Sequence, residues 1–363
     1  MIICVLTVNI RNHVKNGDDN VAEIQSLANK YRPTDWNDMV EQSLVVETLR
    51  KVCEAEEISQ RNFLFVGPAG TGKTTISRII SNKLNNGVGE IIEIDAASNS
   101  GADAMRSISN QARVYPVVGK YKTIIIDECH SLSNQGWQVL LKVLEESPAK
   151  TIFFFCTTNP EKIPDTILSR VQEFHLSKIS LSGIEQRLTV VLDTEIATGK
   201  HIEYTADGVS FLAKLAAGGM RKALTLLDTL LTRTSVINSE TVASIVNINY
   251  DSYFSLLGAI SKRDNEKIAA VVDEVYNSGV NFTKWFEDFH GFIMNIVKFI
   301  LLQDISRTMI PAHYQDKISK YTISHFTVCM KLANVLLSLN QDLRSTNYPQ
   351  EVVLTKLCTV PSK

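Results

Sequence analysis

The chain has 363 residues, 44% of them hydrophobic, and a formal net charge of −2. That length is too great for one ordinary core, so two or three domains are expected, and the near-neutral balance excludes a global cationic footprint for nucleic acid; any such contact must come from a local patch or from several subunits acting together. Cys4, Cys53, Cys129, Cys156, Cys329 and Cys358 are scattered without a C-x-x-C pair or a histidine at ligand spacing, which indicates neither zinc nor a disulfide framework and fits a reducing cytoplasm.

The opening Met1-Ile2-Ile3-Cys4-Val5-Leu6-Thr7-Val8 is apolar, but it lacks a basic flank and a small-residue cleavage site, so it is a poor signal peptide. Asn16-Gly17-Asp18-Asp19-Asn20 reads as a linker, and residues 1–20 are expected to be a disordered leader or an over-extended start. Tyr31-Arg32-Pro33, taken without context, is a turn ahead of a helix from Ser43 to Ala55.

The apolar run Phe63-Leu64-Phe65-Val66 leads into Gly67-Pro68-Ala69-Gly70-Thr71-Gly72-Lys73-Thr74, after which Ile76, Ile79, Ile80 and Leu84 recur at helical spacing. Strand, loop and helix in that order suit phosphate binding. Glycines let backbone N–H groups turn inward, and the helix that starts at Lys73 aims its positive end at the phosphates. The Lys73 ammonium then reaches the β and γ oxygens and the Thr74 hydroxyl takes a Mg²⁺ position. A glycine-rich turn that binds nothing is the competing reading. The second half of such a site is an apolar strand ending in acid, supplied by Thr123-Ile124-Ile125-Ile126-Asp127-Glu128. Asp127 would hold Mg²⁺ through water and Glu128 would polarise the attacking water.

Between and beyond these lie a strand at Glu90 to Asp95, a helix from Ala102 to Arg113, a helix from Asn134 to Glu146 with Trp137, Leu140, Leu141 and Leu144 on one face, and strands at Thr151 to Thr157 and Gln172 to Leu176. Nearly all-apolar strands alternating with helices predict an α/β fold with a parallel sheet covered on both faces, over residues 21–179. Beyond about Ser177 no strand signal survives. Helical segments at Leu181 to Ala197, Thr205 to Ala216, Met220 to Leu231 and Ser239 to Val246 suit a helical lid over 180–248, and residues 249–363 read as an all-helical domain punctuated by Asn277-Ser278-Gly279 and Pro311. The apolar run Phe292 to Leu302, interrupted by Asn295 and Lys298, is too short for a membrane span and is expected to be a core helix.

The phosphate loop, Asp127-Glu128, Thr158, Ser169-Arg170 and Gly218-Gly219-Met220-Arg221-Lys222-Ala223-Leu224 occur in the order of an AAA+ ATPase. Glu93-Ile94-Asp95-Ala96-Ala97-Ser98-Asn99, Gly119-Lys120-Tyr121-Lys122, Leu140-Leu141-Lys142-Val143-Leu144-Glu145-Glu146 and Ile163-Pro164-Asp165-Thr166-Ile167-Leu168-Ser169-Arg170 resemble the gamma/tau subunits of bacterial DNA polymerase III clamp loaders. The resemblance is dense from Tyr31 to Leu224 and colinear afterwards. It implies an AAA+ domain, a lid and an all-α collar, with ATP and Mg²⁺ as cofactors. It further implies other clamp-loader subunits in a pentameric assembly, a sliding clamp and primer-template DNA as partners, no membrane, and a bacterial or phage-infected cytoplasm.

Residue by residue, the resemblance makes Lys73, Asp127, Glu128, Thr158, Arg170 and Arg221 catalytic. Thr158 matches the first sensor and Arg221 the second, held against the nucleotide in cis. Arg170 matches an arginine finger that reaches the ATP of a neighbouring subunit. Nucleotide contacts fall on Tyr31, Arg32, Pro33, Val40, Gly67, Pro68, Ala69, Gly70, Thr71, Gly72, Lys73, Thr74, Thr75 and Arg221, with the Tyr31-Arg32-Pro33 element and Val40 near adenine. Ser98, Asn99, Ser100 and Arg106 are the candidates for DNA phosphate; the plain alternative is a helix start capped by Ser100 or Asn99. Val114, Tyr115 and Val117 are the candidates for the clamp, provided the tyrosine is exposed.

Departures from the family's pattern are also visible. Asn85-Asn86-Gly87-Val88-Gly89 closes the gap where the family usually inserts a four-cysteine zinc module, so no zinc is expected. Val171 replaces the cysteine after Arg170, Glu41 stands where glycine usually precedes Gln42, which puts the local backbone geometry in doubt, and a compact version without a tau-like tail is expected. Two rivals are an AAA+ helicase or branch-migration motor, and a structural subunit without turnover. The intact set Lys73, Thr74, Asp127 and Glu128 argues against the second.

Overall fold

The computed structural model describes residues 25–55, 57–146, 148–245 and 250–360. The leader expected over residues 1–20 lies outside them. The chain divides into two units, Met1–Val191 with Ala216–Asp228, and Leu192–Leu215 with Thr229–Lys363.

In the first unit a short helix α1 (Leu27–Lys30) precedes α2 (Ser43–Glu54), β1 (Asn62–Val66) and α3 (Lys73–Leu84). Then come β2 (Ile91–Asp95), α4 (Ala102–Arg113), β3 (Lys122–Asp127), α5 (Asn134–Glu146), β4 (Thr151–Thr157), α6 (Asp165–Leu168), β5 (Gln172–His175) and α7 (Leu181–Ala197), whose residues from Leu192 on belong to the second unit. The strands form one sheet in the order β2-β3-β4-β1-β5, and every neighbouring pair is parallel. The all-apolar strands that predicted a covered sheet do cover both faces. Ile124, Ile126, Phe153 and Phe155 pack with Met105, Ile108, Trp137 and Leu140 from α4 and α5. Ile125, Ile152 and Phe154 point the other way, onto Leu49, Ile76, Ile79 and Ile80 from α2 and α3. Period-two alternation thus assigns each side chain to a layer, and each fully buried Phe or Ile contributes about 1.5–3 kcal/mol. Phe154 stacks between Phe63 and Phe65, with ring centroids 5.3 and 5.8 Å away.

The sheet order places β1 between β4 and β5, and because every strand is parallel the loop after β1 and the acidic end of β3 open on the same carboxyl edge of the sheet. That edge is where ligands of open parallel sheets bind.

In the second unit β6 (Glu203–Tyr204) and β7 (Val236–Ile237) form a small parallel pair beside α8 (Ala206–Ala216). This corrects the expectation of no strand beyond Ser177: two residues per strand are too few to leave an apolar run. The helix α9 (Met220–Leu231) runs from the first unit into the second, and α10 (Ser239–Ile245) follows β7. Next come α11 (Tyr250–Lys262), α12 (Asn265–Asn277), α13 (Phe282–Leu302), α14 (Gln315–Ile318), α15 (Phe326–Asp342) and α16 (Pro349–Cys358). Helices α12 and α13 start where the sequence provides caps. The Asp264 side chain accepts from Lys267 N at 3.0 Å and that of Asn281 from Lys284 N at 2.9 Å. The core helix expected around Phe292 is α13, with Trp285, Phe286, Phe289, Phe292, Ile293 and Ile296 buried. No single helix among the described residues is long and apolar enough to cross a membrane.

Candidate active site

The loop from Gly67 to Gly72 turns back over the end of β1. Gly70 and Gly72 take left-handed backbone, φ 76° and 109°, and Gly72 hands the chain directly to α3. A side chain would be strained at both, as the phosphate-cradle reading requires. Lys73, the first residue of α3, is buried, and its Nζ donates to the carbonyls of Gly67 at 2.8 Å and Pro68 at 3.0 Å. Among the described residues no carboxylate holds the ammonium, so it is available to a ligand anion through a small side-chain turn.

One residue on, the Thr74 hydroxyl donates to Asp127 Oδ2 at 2.8 Å, and the other Asp127 oxygen accepts from Glu128 N at 3.0 Å. A hydroxyl beside a carboxylate is a hard-oxygen pair that fits Mg²⁺. Glu128 sits in left-handed backbone at φ 47°, which turns its carboxylate out of the strand direction. Its Oε2 lies 3.3 Å from Thr158 Oγ1 and 3.3 Å from His130 Nδ1. Thr158 has a nearer acceptor in Asn159 Oδ1 at 2.8 Å, and the His130 nitrogen also meets Thr157 Oγ1 at 3.1 Å. Behind this edge, burial foremost, together with the neighbouring Asp127, pushes the thiols of Cys129 and Cys156 well above their ordinary range, which leaves them unreactive.

A single cleft gathers Tyr31, Arg32, Pro33, Val40, Ala69 to Thr75, Asp127, Glu128 and Arg221. Gly67 and Pro68 lie behind it as the carbonyl partners of Lys73, and Thr158 reaches it only through Glu128. Arg170 is not in the cleft. Its guanidinium pairs with Glu145 Oε1 at 2.7 Å and donates to Thr166 O at 2.7 Å. Burial first, then the Arg78 guanidinium, lowers the pKa of Arg32, and the charges of Arg221 and Asp127 also reach it. Arg32 stays a cation.

Ala28, Met39, Ile179, Arg187, Met220 and Leu224 also line the cleft and were missed. Arg187 Nη2 donates to Tyr31 O at 3.3 Å across a sequence gap that no local motif spans. The start of α9 docks on the phosphate loop backbone to backbone: Met220 N donates to Gly70 O at 3.0 Å, and a Cβ on Gly219 would stand 2.9 Å from Ala69 O. That docking carries Arg221 into the cleft.

Comparison with known proteins follows the same line. Residues 90–180 match the family model described as DNA polymerase III, delta subunit. The DNA polymerase III subunit gamma/tau of Mycoplasma genitalium is 28% identical over 87% of this chain and 59% of its own length. For the tau subunit of Bacillus subtilis the figures are 28%, 92% and 63%. The gamma subunit of Buchnera aphidicola is 30% identical, and the match takes in 70% of this chain and 74% of that protein. The chain belongs to the DNA polymerase III gamma/tau family. As a gamma/tau chain it spans less than two thirds of the Mycoplasma and Bacillus relatives. Among solved structures, the Thermotoga maritima RuvB Holliday junction branch migration motor matches with a TM-score of 0.50 at 19% identity, over 63% of this chain and 79% of RuvB. This likeness establishes the AAA+ fold and nothing about activity.

Elsewhere in this gamma/tau chain, the segment before α4 is a tight turn around Asp95. Ser98 N and Asn99 N both donate to Asp95 O, at 3.3 and 3.0 Å, and Arg106 pairs with Asp103 at 2.5 Å. The helix cap is Gly101 with no side-chain bond, so neither Ser100 nor Asn99 caps α4. Past the other end of α4, Val114, Tyr115 and Val117 are 60%, 71% and 87% exposed. The tyrosine thus meets the condition set for an anchor rather than a core residue. Asn85 ties the end of α3 to the start of β3: its amide donates to Ser81 O and Tyr121 O, both at 3.0 Å, and accepts from Tyr121 N at 2.8 Å.

Proposed function

We propose that the chain is an ATPase subunit of a sliding-clamp loader, which binds ATP between subunits, opens a ring-shaped clamp, and releases it closed around primer-template DNA as ATP is hydrolysed. The observation that carries this reading is the convergence, in a gamma/tau chain, of Lys73, the Thr74–Asp127 pair and Arg221 on one cleft. In this proposal residues 21–179 form the nucleotide-binding domain, 180–248 the lid and 249–363 the collar that joins subunits into a pentamer in the bacterial cytoplasm.

Lys73 and Arg221 bind and orient the triphosphate, and Tyr31, Arg32, Pro33 and Val40 pack near adenine. Thr74 and Asp127 would hold Mg²⁺, which when bound supplies charge neutralisation on the phosphates. Glu128 takes a proton from, or orients, the attacking water, and Thr158, as the first sensor, lies between the metal site and the γ-phosphate. Arg170 acts on the ATP of the adjacent subunit. Ser98, Asn99, Ser100 and Arg106 face the DNA, where the amides already spent on Asp95 leave contact to side chains. Val114, Tyr115 and Val117 face the clamp. Differences in binding between ATP and ADP states drive the cycle.

The test is steady-state ATPase of the chain assembled with its partner subunits, with and without primer-template DNA plus clamp. Strong stimulation by DNA and clamp together is expected; turnover indifferent to both would remove the clamp-loader reading. A second expectation concerns the lid. Gly219→Ala inserts a methyl against the fixed carbonyl of Ala69 and lifts α9 off the phosphate loop, so nucleotide affinity is expected to fall about tenfold, or 1.4 kcal/mol. Titration with a fluorescent ATP analogue measures it, and an unchanged constant would show that the docking does not serve binding.

A further inference from the structure

We propose that Glu41 is a positioning residue for the nucleotide, tying the segment that carries Met39 and Val40 to the start of α7 and so holding two walls of the cleft in register. The inference rests on the nucleotide reading given above and adds a residue that the reading does not use.

Glu41 and Gln42 are consecutive non-glycine residues in left-handed backbone, both at φ 59°. Each is unfavourable by about 1–2 kcal/mol, and such a corner persists only where its surroundings fix it. Here they do. Gln42 Nε2 donates to Ser177 O at 2.7 Å, and Ser177 N donates back to Gln42 Oε1 at 3.2 Å. The Glu41 carboxylate accepts from Ser180 N, at 3.1 Å to Oε2, and from the Ser180 hydroxyl. Ser180 is the residue before α7, and its Oγ accepts from Gly183 N at 3.0 Å. On the far side of the same linker, Ile179 N donates to Gly218 O at 3.1 Å. Ser177, Ile179 and Ser180 are therefore all held, between the corner at 41–42 and the turn that leads into α9.

Two details point to the carboxylate rather than the backbone. A negative charge at the start of a helix as long as α7, 17 residues, is stabilising. Gly183 leaves the space that the carboxylate fills: a Cβ there would stand 2.6 Å from Glu41 Oε1. Val40 and Ile179, each one residue from an end of this latch, both line the cleft. A glycine at position 41 would accept the left-handed geometry without strain and could not make the latch.

The test is a double-mutant cycle on the full chain, with mant-ATP affinity and Tm as readouts: wild type, Glu41→Ala, Gly183→Ala and the double variant, with Glu41→Gln and Lys73→Ala beside them. Glu41→Ala and Gly183→Ala are each expected to weaken mant-ATP binding about three- to tenfold, a range suited to charge-assisted hydrogen bonds near solvent. Because the Gly183 methyl meets the carboxylate first, at 2.6 Å, and Ile179 Cγ2 only at 3.1 Å, the double variant should be little weaker than Glu41→Ala alone. Glu41→Gln, which keeps an acceptor, should recover part of the affinity. Multiplicative losses in the double variant, or wild-type affinity in folded Glu41→Ala, would overturn the proposal. A wild type that fails to bind mant-ATP, no better than Lys73→Ala, would instead overturn the nucleotide reading; non-additivity in Tm then still decides whether the latch exists.

Discussion

Arg170→Ala is expected to lower ATP turnover of the assembled protein by about a thousandfold while leaving nucleotide affinity nearly unchanged, as arginine fingers supplied in trans do. This separation of effects follows from the proposed trans role. Arg170 lies outside its own cleft, and its backbone is fixed: Asn62 Nδ2 donates to its carbonyl at 3.3 Å, and Val171 packs against the core. The replacement of the usual cysteine by Val171 therefore leaves the arginine on a firm base. Its guanidinium is parked on Glu145 and on the Thr166 carbonyl at the surface. An exposed ion pair of this kind contributes at most about 1 kcal/mol, so exchanging Glu145 for a neighbour's phosphate costs little. The measurement is turnover of assemblies built with the variant, beside mant-ATP titration of the same material. Wild-type turnover, or hydrolysis by dilute monomer as fast as by the complex, would sink the trans assignment.

Glu128→Gln is expected to cut turnover by about 10² to 10⁴, the usual worth of a positioned base, and to let bound ATP accumulate. The amide keeps the shape and the neighbours of the carboxylate, Thr158 and His130, but cannot accept a proton. Single-turnover hydrolysis read beside nucleotide affinity checks it. A large loss of affinity with little loss of the chemical step would place Glu128 in binding. The two variants then fail differently in mixtures, because a wild-type neighbour can supply a finger to the Arg170→Ala subunit's own cleft but cannot replace a base inside the Glu128→Gln cleft.

The site was legible where function is local in sequence. Gly67 to Thr75 and Asp127-Glu128 declare themselves by residue type and spacing, and the apolar strands around them gave the sheet. What stayed hidden is assembled from distant segments. Arg187, Ile179 and Met39 reach the cleft because α7 and the turn before α2 pack there, and nothing within a few residues of any of them marks a ligand. Glu41 could be read only as a departure that put the backbone in doubt; the backbone is indeed left-handed, and its side chain supplies the reason it holds. The pair β6 and β7 is set by pairing across thirty-odd positions rather than by an apolar run. At α4 the candidates Ser100 and Asn99 were capping types by composition, but the turn around Asp95 engages Asn99 and leaves Gly101 at the cap.

The order of strands in the sheet also governs how the chain acquires its structure during synthesis. β1 emerges early but pairs only with β4 and β5, and its phosphate loop receives Met220 only after the second-unit segment Leu192–Leu215 has been made. Before it pairs with β3 and β1, the phenylalanine-rich β4, buried on every residue in the finished sheet, is a bare apolar segment of the kind that associates between chains. Nascent chains cut off before residue 151 therefore lack the strand that joins the two halves of the sheet, and those ending between 157 and 216 carry it without the docked helix that completes the first unit.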